Sequence, residues 1–162
     1  MFKRILLFSL LVLLLDSCSF VKRVFHRTPT SYYTSAEIKS IISEAKKFKG
    51  VPYKYGGMDK KGMDCSGLLY TVYLKNEVNI PRVSSDQADF GQEISLNDVQ
   101  MGDWIFFATG KVRLISHVGL VTQEHPTITF IHASTTYGVR EDKLNQKYWL
   151  NRIVKIIRPF KN

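Results

Sequence analysis

The sequence predicts one α+β domain, N-terminal helices packed on an antiparallel β-sheet, from three observations. Helical periodicity is confined to the first half, at residues 38–48 and 65–75. After residue 102 the period changes to short apolar runs rich in Val, Ile, Phe and Thr. The chain has 162 residues, 44% of them hydrophobic, enough for one core and too few for two ordinary domains.

Residues 1–17 read as an address. Lys3 and Arg4 precede an apolar run from Ile5 to Leu15, interrupted only by Ser9. At ~1.5 Å per residue this run falls well short of a ~30 Å hydrocarbon core, which makes it the apolar part of a signal peptide. It ends in Leu15-Asp16-Ser17-Cys18, which resembles a bacterial lipobox. The resemblance implies that Cys18 is lipidated and becomes the mature N-terminus. Residues 18–34 then form a tether in which Lys22, Arg23 and Arg27 alternate with Phe20, Val21, Val24 and Phe25. Such a stretch suits an anionic lipid surface, or is a solvated linker. The domain proper is expected over 35–162.

Within the domain, Thr34 and Glu37 have the spacing of a capping box. Ile38, Ile41, Ile42, Ala45 and Phe48 follow at helical intervals, and Gly50 and Pro52 end the helix. Val51 to Asp64 is glycine-rich and reads as loop. A second helix opens at Cys65, with Leu68, Leu69, Val72 and Tyr73 on one side. Ser84-Ser85-Asp86-Gln87 has the form of another side-chain cap, opening a short helix towards Phe90. Strands are predicted at 103–107, 117–122, 127–133 and 152–158, the last stopped by Pro159.

Net charge is +9, from 23 Lys and Arg against 14 Asp and Glu. The positive charge is scattered and the leader points to the envelope, so no nucleic-acid partner is expected. Two cysteines exclude a disulfide scaffold and an all-Cys zinc cluster.

Cys65 is the informative residue. At a helix start its thiolate meets unpaired N–H groups and partial positive charge. Lowering a thiol pKa from ~8.5 to ~6 needs ~3.4 kcal/mol, and a helix terminus supplies only ~0.3–2 kcal/mol. A base is therefore required. His117 opens the second strand and His132 ends the third, so antiparallel pairing across a short turn brings the two together. The set then comprises nucleophile, base and orienter. Each histidine has an alternative as a hydrogen-bonded structural residue, and Cys65 as an idle thiol. His26 and His125 are given no role.

Six segments then coincide in order. They are Gly50-Val51-Pro52-Tyr53-Lys54-Tyr55-Gly56-Gly57, Gly62-Met63-Asp64-Cys65-Ser66-Gly67, Pro81-Arg82-Val83-Ser84-Ser85-Asp86-Gln87, Gly102-Asp103-Trp104-Ile105-Phe106-Phe107, Ser116-His117-Val118-Gly119 and Phe130-Ile131-His132-Ala133. Together they resemble the NlpC family of bacterial cell-wall cysteine peptidases, from about Ile38 to Arg158. The resemblance implies a papain-like fold, with Cys65 as nucleophile, His117 as general base and His132 as its orienter. It further implies Tyr53 in substrate contact and oxyanion stabilisation, and Asp64 and Ser66 in binding the amino end of a stem peptide. The expected substrate is the peptidoglycan stem peptide, cut at D-Glu–diaminopimelate or D-Ala–diaminopimelate. No cofactor or metal is needed. A monomer held by lipidated Cys18 is expected, on the outer membrane facing the periplasm. An amidase or acyltransferase with the same dyad, and an idle wall-binding lipoprotein, are the alternatives.

Overall fold

Thr34 starts the first helix as its spacing to Glu37 predicts. In the computed structural model, which describes residues 31–161, the Thr34 N–H donates to Glu37 Oε2 at 2.8 Å. Glu37 N–H returns a bond to Thr34 Oγ1 at 3.3 Å. Helix α1 spans Ser35–Lys46 and buries Ile41, Ile42 and Ala45. A two-stranded ribbon, β1 (Met58–Asp59) and β2 (Gly62–Met63), forms inside the glycine-rich segment read as loop. Helix α2 (Cys65–Lys75) begins where predicted and buries Leu68, Leu69, Val72 and Tyr73.

The cap expected at Ser84 does not form. Helix α3 spans Ser84–Gln87 with Val83 at its N-cap and no side-chain cap bond. Gln87 is fully buried and spends its amide elsewhere, donating to Ser66 O and Pro81 O at 3.1 and 2.8 Å. A side chain turned into the core is unable to reach back to its own helix start.

The sheet has six antiparallel strands in the spatial order β3-β8-β4-β5-β6-β7. They are β3 (Gly91–Glu93), β4 (Trp104–Phe107), β5 (His117–Gln123), β6 (Thr129–Ser134), β7 (Gly138–Lys143) and β8 (Ile153–Pro159). A short helix α4 (Lys147–Leu150) sits between β7 and β8. The four predicted strands are present; β3, β7 and α4 were not predicted. Four of the six β7 residues, Arg140 to Lys143, are charged, which resembles a solvated segment. Pairing along the whole of β6 makes it a strand.

Alternation in β4 shows why the sheet is buried on both faces. Trp104 and Phe106 join the core under α1 and α2. Ile105 and Phe107 point the other way, into a second core with Val121, Phe130 and Trp149. At the start of the described chain, Lys161 N–H donates to Ser31 O at 3.0 Å and Tyr33 is buried. Ser31 to Tyr33, read as tether, thus pack with the domain. Cys18 and the signal segment lie outside the described residues.

Candidate active site

One half of the site is local in sequence. Asp64 is the N-cap of α2, accepting from the Gly67 N–H at 2.6 Å. The same carboxylate accepts from Gly56 N–H at 2.8 Å, Ser66 Oγ at 3.1 Å and both Arg82 nitrogens at 3.1 and 2.8 Å. Burial pushes the Asp64 carboxyl up, but Arg82 and the Gly67 and Gly56 N–H groups outweigh it and hold it below the usual range. Gly67 is required in this turn, because a Cβ would stand 2.3 Å from Gly57 O. These contacts clamp the 53–57 loop onto the helix start that presents Cys65.

The other half comes from strands far apart in sequence. His117 is the first residue of β5, and the N–H of the next residue, Val118, faces the Cys65 sulfur. His117 Nε2 lies 2.8 Å from His132 Nδ1. His132 Nε2 lies 3.1 Å from Asp142 Oδ2, and Arg140 holds the other Asp142 oxygen at 2.7 Å. The rings sit in an aromatic nest: Trp149 stacks on His117 at 5.7 Å and meets His132 edge-on at 5.0 Å. His132 is the fourth residue of β6, two short of its end.

Cys65 and His117 are each 7% exposed and His132 is 1% exposed. Burial pushes the Cys65 thiol up, against the opposing pull of the Val118, Ser66 and Cys65 N–H groups. Burial, with the neighbouring His132, pushes His117 down to about 3. Burial likewise lowers His132, outweighing the Asp142 carboxylate. Burial thus works against charge on the thiol and on both imidazoles. At the thiol, desolvation opposes the help that a helix start supplies. Tyr53 is half-buried nearby, its hydroxyl pushed up by burial first and then by Cys65 and Asp64.

Of the predicted residues, Tyr53, Asp64, Cys65 and Ser66 gather on the helix-start side, and His117 and His132 are bonded to each other. Arg82, Asp142 and Trp149 were not singled out. Arg82 sits within a quoted segment, Pro81-Arg82-Val83. Asp142 has no local signal, since it lies in the charged run of an unforeseen strand. A cavity of about 340 Å³, lined by His117, His132, Tyr137, Arg140, Tyr148 and Trp149 among others, opens beside the histidines. Among the described residues no cluster of His, Cys, Asp or Glu has the make-up of a metal site, and no helix is long and apolar enough to cross a membrane.

Residues 50–158 match the NlpC/P60 family. The chain is 32% identical over 151 residues to the probable endopeptidase NlpC of Escherichia coli, covering 90% of this chain and 93% of that one. It is 32% identical over 120 residues to the E. coli murein DD-endopeptidase MepS/murein LD-carboxypeptidase, covering 73% of this chain and 61% of that one. Among solved structures, an NLP/P60-family protein similar to lipoprotein, from Staphylococcus aureus, superposes with a TM-score of 0.71 at 32% identity. That match covers 88% of this chain and 47% of the S. aureus chain.

Proposed function

The chain belongs to the NlpC/P60 family, and from that premise we propose that it is a cysteine peptidase hydrolysing peptide bonds in peptidoglycan stem peptides. The observation that carries this reading is the row from the Cys65 helix start, past Val118, to His117 and His132. In the proposed mechanism His117 takes the Cys65 proton as the sulfur attacks the scissile carbonyl. The Cys65 N–H and the Tyr53 hydroxyl stabilise the oxyanion. His117 returns the proton to the leaving amine, and water hydrolyses the thioester. Asp64 and Ser66 form the wall that meets the amino end of the stem peptide. Because Asp64 already accepts five internal bonds, a substrate amine shares these oxygens rather than claiming a free one.

The relatives' names include an endopeptidase and a DD-endopeptidase, which keeps both D-Glu–diaminopimelate and D-Ala–diaminopimelate bonds as substrates of this reading. We place the protein in the bacterial envelope as a monomer, anchored by lipidated Cys18 to the outer membrane and facing the periplasm. Digestion of purified peptidoglycan, with mass analysis of the fragments, tests the activity and identifies the bond. The wild-type chain should release peptide fragments and Cys65→Ala none. Undiminished release by folded Cys65→Ala overturns the reading. Cell fractionation of Cys18→Ala tests the anchor: a processed chain still on the membrane would place the attachment elsewhere.

A further inference from the structure

The hydrogen-bond row does not stop at the second histidine. Asp142 lies on β7, the strand next to β6, and its two oxygens are divided between two partners. Oδ1 receives Arg140 at 2.7 Å and Oδ2 faces His132 Nε2 at 3.1 Å. A carboxylate only accepts, so the proton in the second contact belongs to His132 Nε2. A neutral imidazole carries one N–H, which leaves His132 Nδ1 as an acceptor. Its partner at 2.8 Å is His117 Nε2, which must then carry the N–H of that ring. His117 Nδ1 is left with its lone pair, the only ring atom still able to take a proton.

We propose that Asp142 is a positioning residue that selects the tautomer of both histidines, so that His117 presents an unprotonated Nδ1 to the Cys65 thiol. This inference rests on the reading of Cys65 as nucleophile and His117 as its base. Without the carboxylate the row runs equally well in reverse. His132 then donates from Nδ1 to His117 Nε2, and the proton on His117 moves to Nδ1, where it blocks uptake of the thiol proton. When His117 takes that proton it becomes an imidazolium, and its Nε2–H still points at His132 Nδ1. The positive charge is then met, through one neutral ring, by the Asp142 carboxylate. Arg140 serves the same end indirectly. Occupying Oδ1 aims Oδ2 at His132, and one face of the guanidinium is braced by the Tyr137 ring at 5.1 Å. The arrangement is a longer version of the nucleophile–base–orienter series, in which the orienter itself has an orienter.

The test uses the full-length chain in detergent, with soluble muropeptides as substrate and nitrogen-15 NMR of the histidine rings as a second readout. A charge-assisted bond favours one tautomer by roughly 10–100-fold. Asp142→Ala should therefore lower kcat by about that factor, with KM changed less than about threefold. Asp142→Glu should recover part of the loss. In the wild type, neutral His117 should be protonated at Nε2, and Asp142→Ala should shift it towards Nδ1–H. A kcat within about threefold of wild type in Asp142→Ala overturns the proposal, as does a wild-type His117 protonated at Nδ1. If Asp142→Ala does not fold, the wild-type tautomer decides alone. The NMR readout needs no turnover, so it judges the row even where Cys65→Ala refutes the peptidase reading.

Discussion

The two sides of the site are built in opposite ways. The Cys65 side is mostly one stretch of chain, residues 53–67, closed on itself by backbone N–H groups and by Asp64, with Arg82, Gln87 and the Val118 N–H as distant partners. The histidine side is assembled from three neighbouring strands, with His117, His132 and Asp142 each on a different one and at least ten positions apart. The first side is held by satisfied hydrogen bonds at a helix start. The second is held by ring packing against Phe107, Phe130 and Trp149. Local chain geometry thus sets the proposed nucleophile, while sheet register sets the proposed base. Damage to the two sides should therefore differ in kind.

The largest effect should come from the base. His117→Ala is expected to lower kcat by about 10³-fold or more while the fold persists, measured by muropeptide turnover alongside a melting curve. Activity within tenfold of wild type would make the Cys65 side self-sufficient and end the division of labour. His132→Asn should be milder, with roughly 10–100-fold loss, because an amide can replace part of the hydrogen bond. If His132→Asn is as inactive as His117→Ala, the second ring does more than orient.

Asp64→Ala sharpens the contrast from the other direction. It removes a helix cap and leaves Arg82 and two N–H groups without their acceptor, at a cost of about 1–3 kcal/mol of stability. Denaturant unfolding would register it as a shift in midpoint. An unchanged midpoint would mean the helix start is held by packing, like the other side.

The effect that vanishes at neutral pH concerns acid. The folded-state pKa of His117 is depressed to about 3, so the unfolded chain binds the proton first as pH falls. Its neutral burial costs nothing above about pH 6.5, and stability is lost as pH falls from there towards 3. The slope is at most about 1.4 kcal/mol per pH unit for this one group. Replacing His117 with Phe should flatten the midpoint-against-pH curve in that window. A curve that stays parallel to wild type would place the acid sensitivity on the carboxylates.

The same contrast explains what was legible in the sequence. The cap at Thr34, the start of α2 at Cys65 and the pairing of His117 with His132 all follow from residue types at short or simply connected spacings. Asp142 did not, because Gly138–Lys143 shows neither alternation nor an apolar run; its strand character comes from its neighbour β6. The burial that opposes a thiolate at Cys65 is hidden in the sequence for a related reason. A helix start is visible in sequence, whereas the depth to which Cys65 is buried depends on the Val118 end of β5. Gln87 shows it again: its spacing suggested a cap, and burial assigned it to Ser66 O and Pro81 O.

The bond between Lys161 and Ser31 has a mechanical consequence. Any pull on the segment before Ser31 enters the fold there, at the bridge to Lys161 and the packing of Tyr32 on Phe160 at 6.1 Å. The load passes into the Phe160 end of β8, where Phe160 N–H is tied to Phe90 O. Strand β4 stands between β8 and β5. Such a pull is thus taken up by peeling one short bridge at the rim, with a whole strand insulating the histidine row. The register of the histidine row can stay fixed while that end of the fold is pulled.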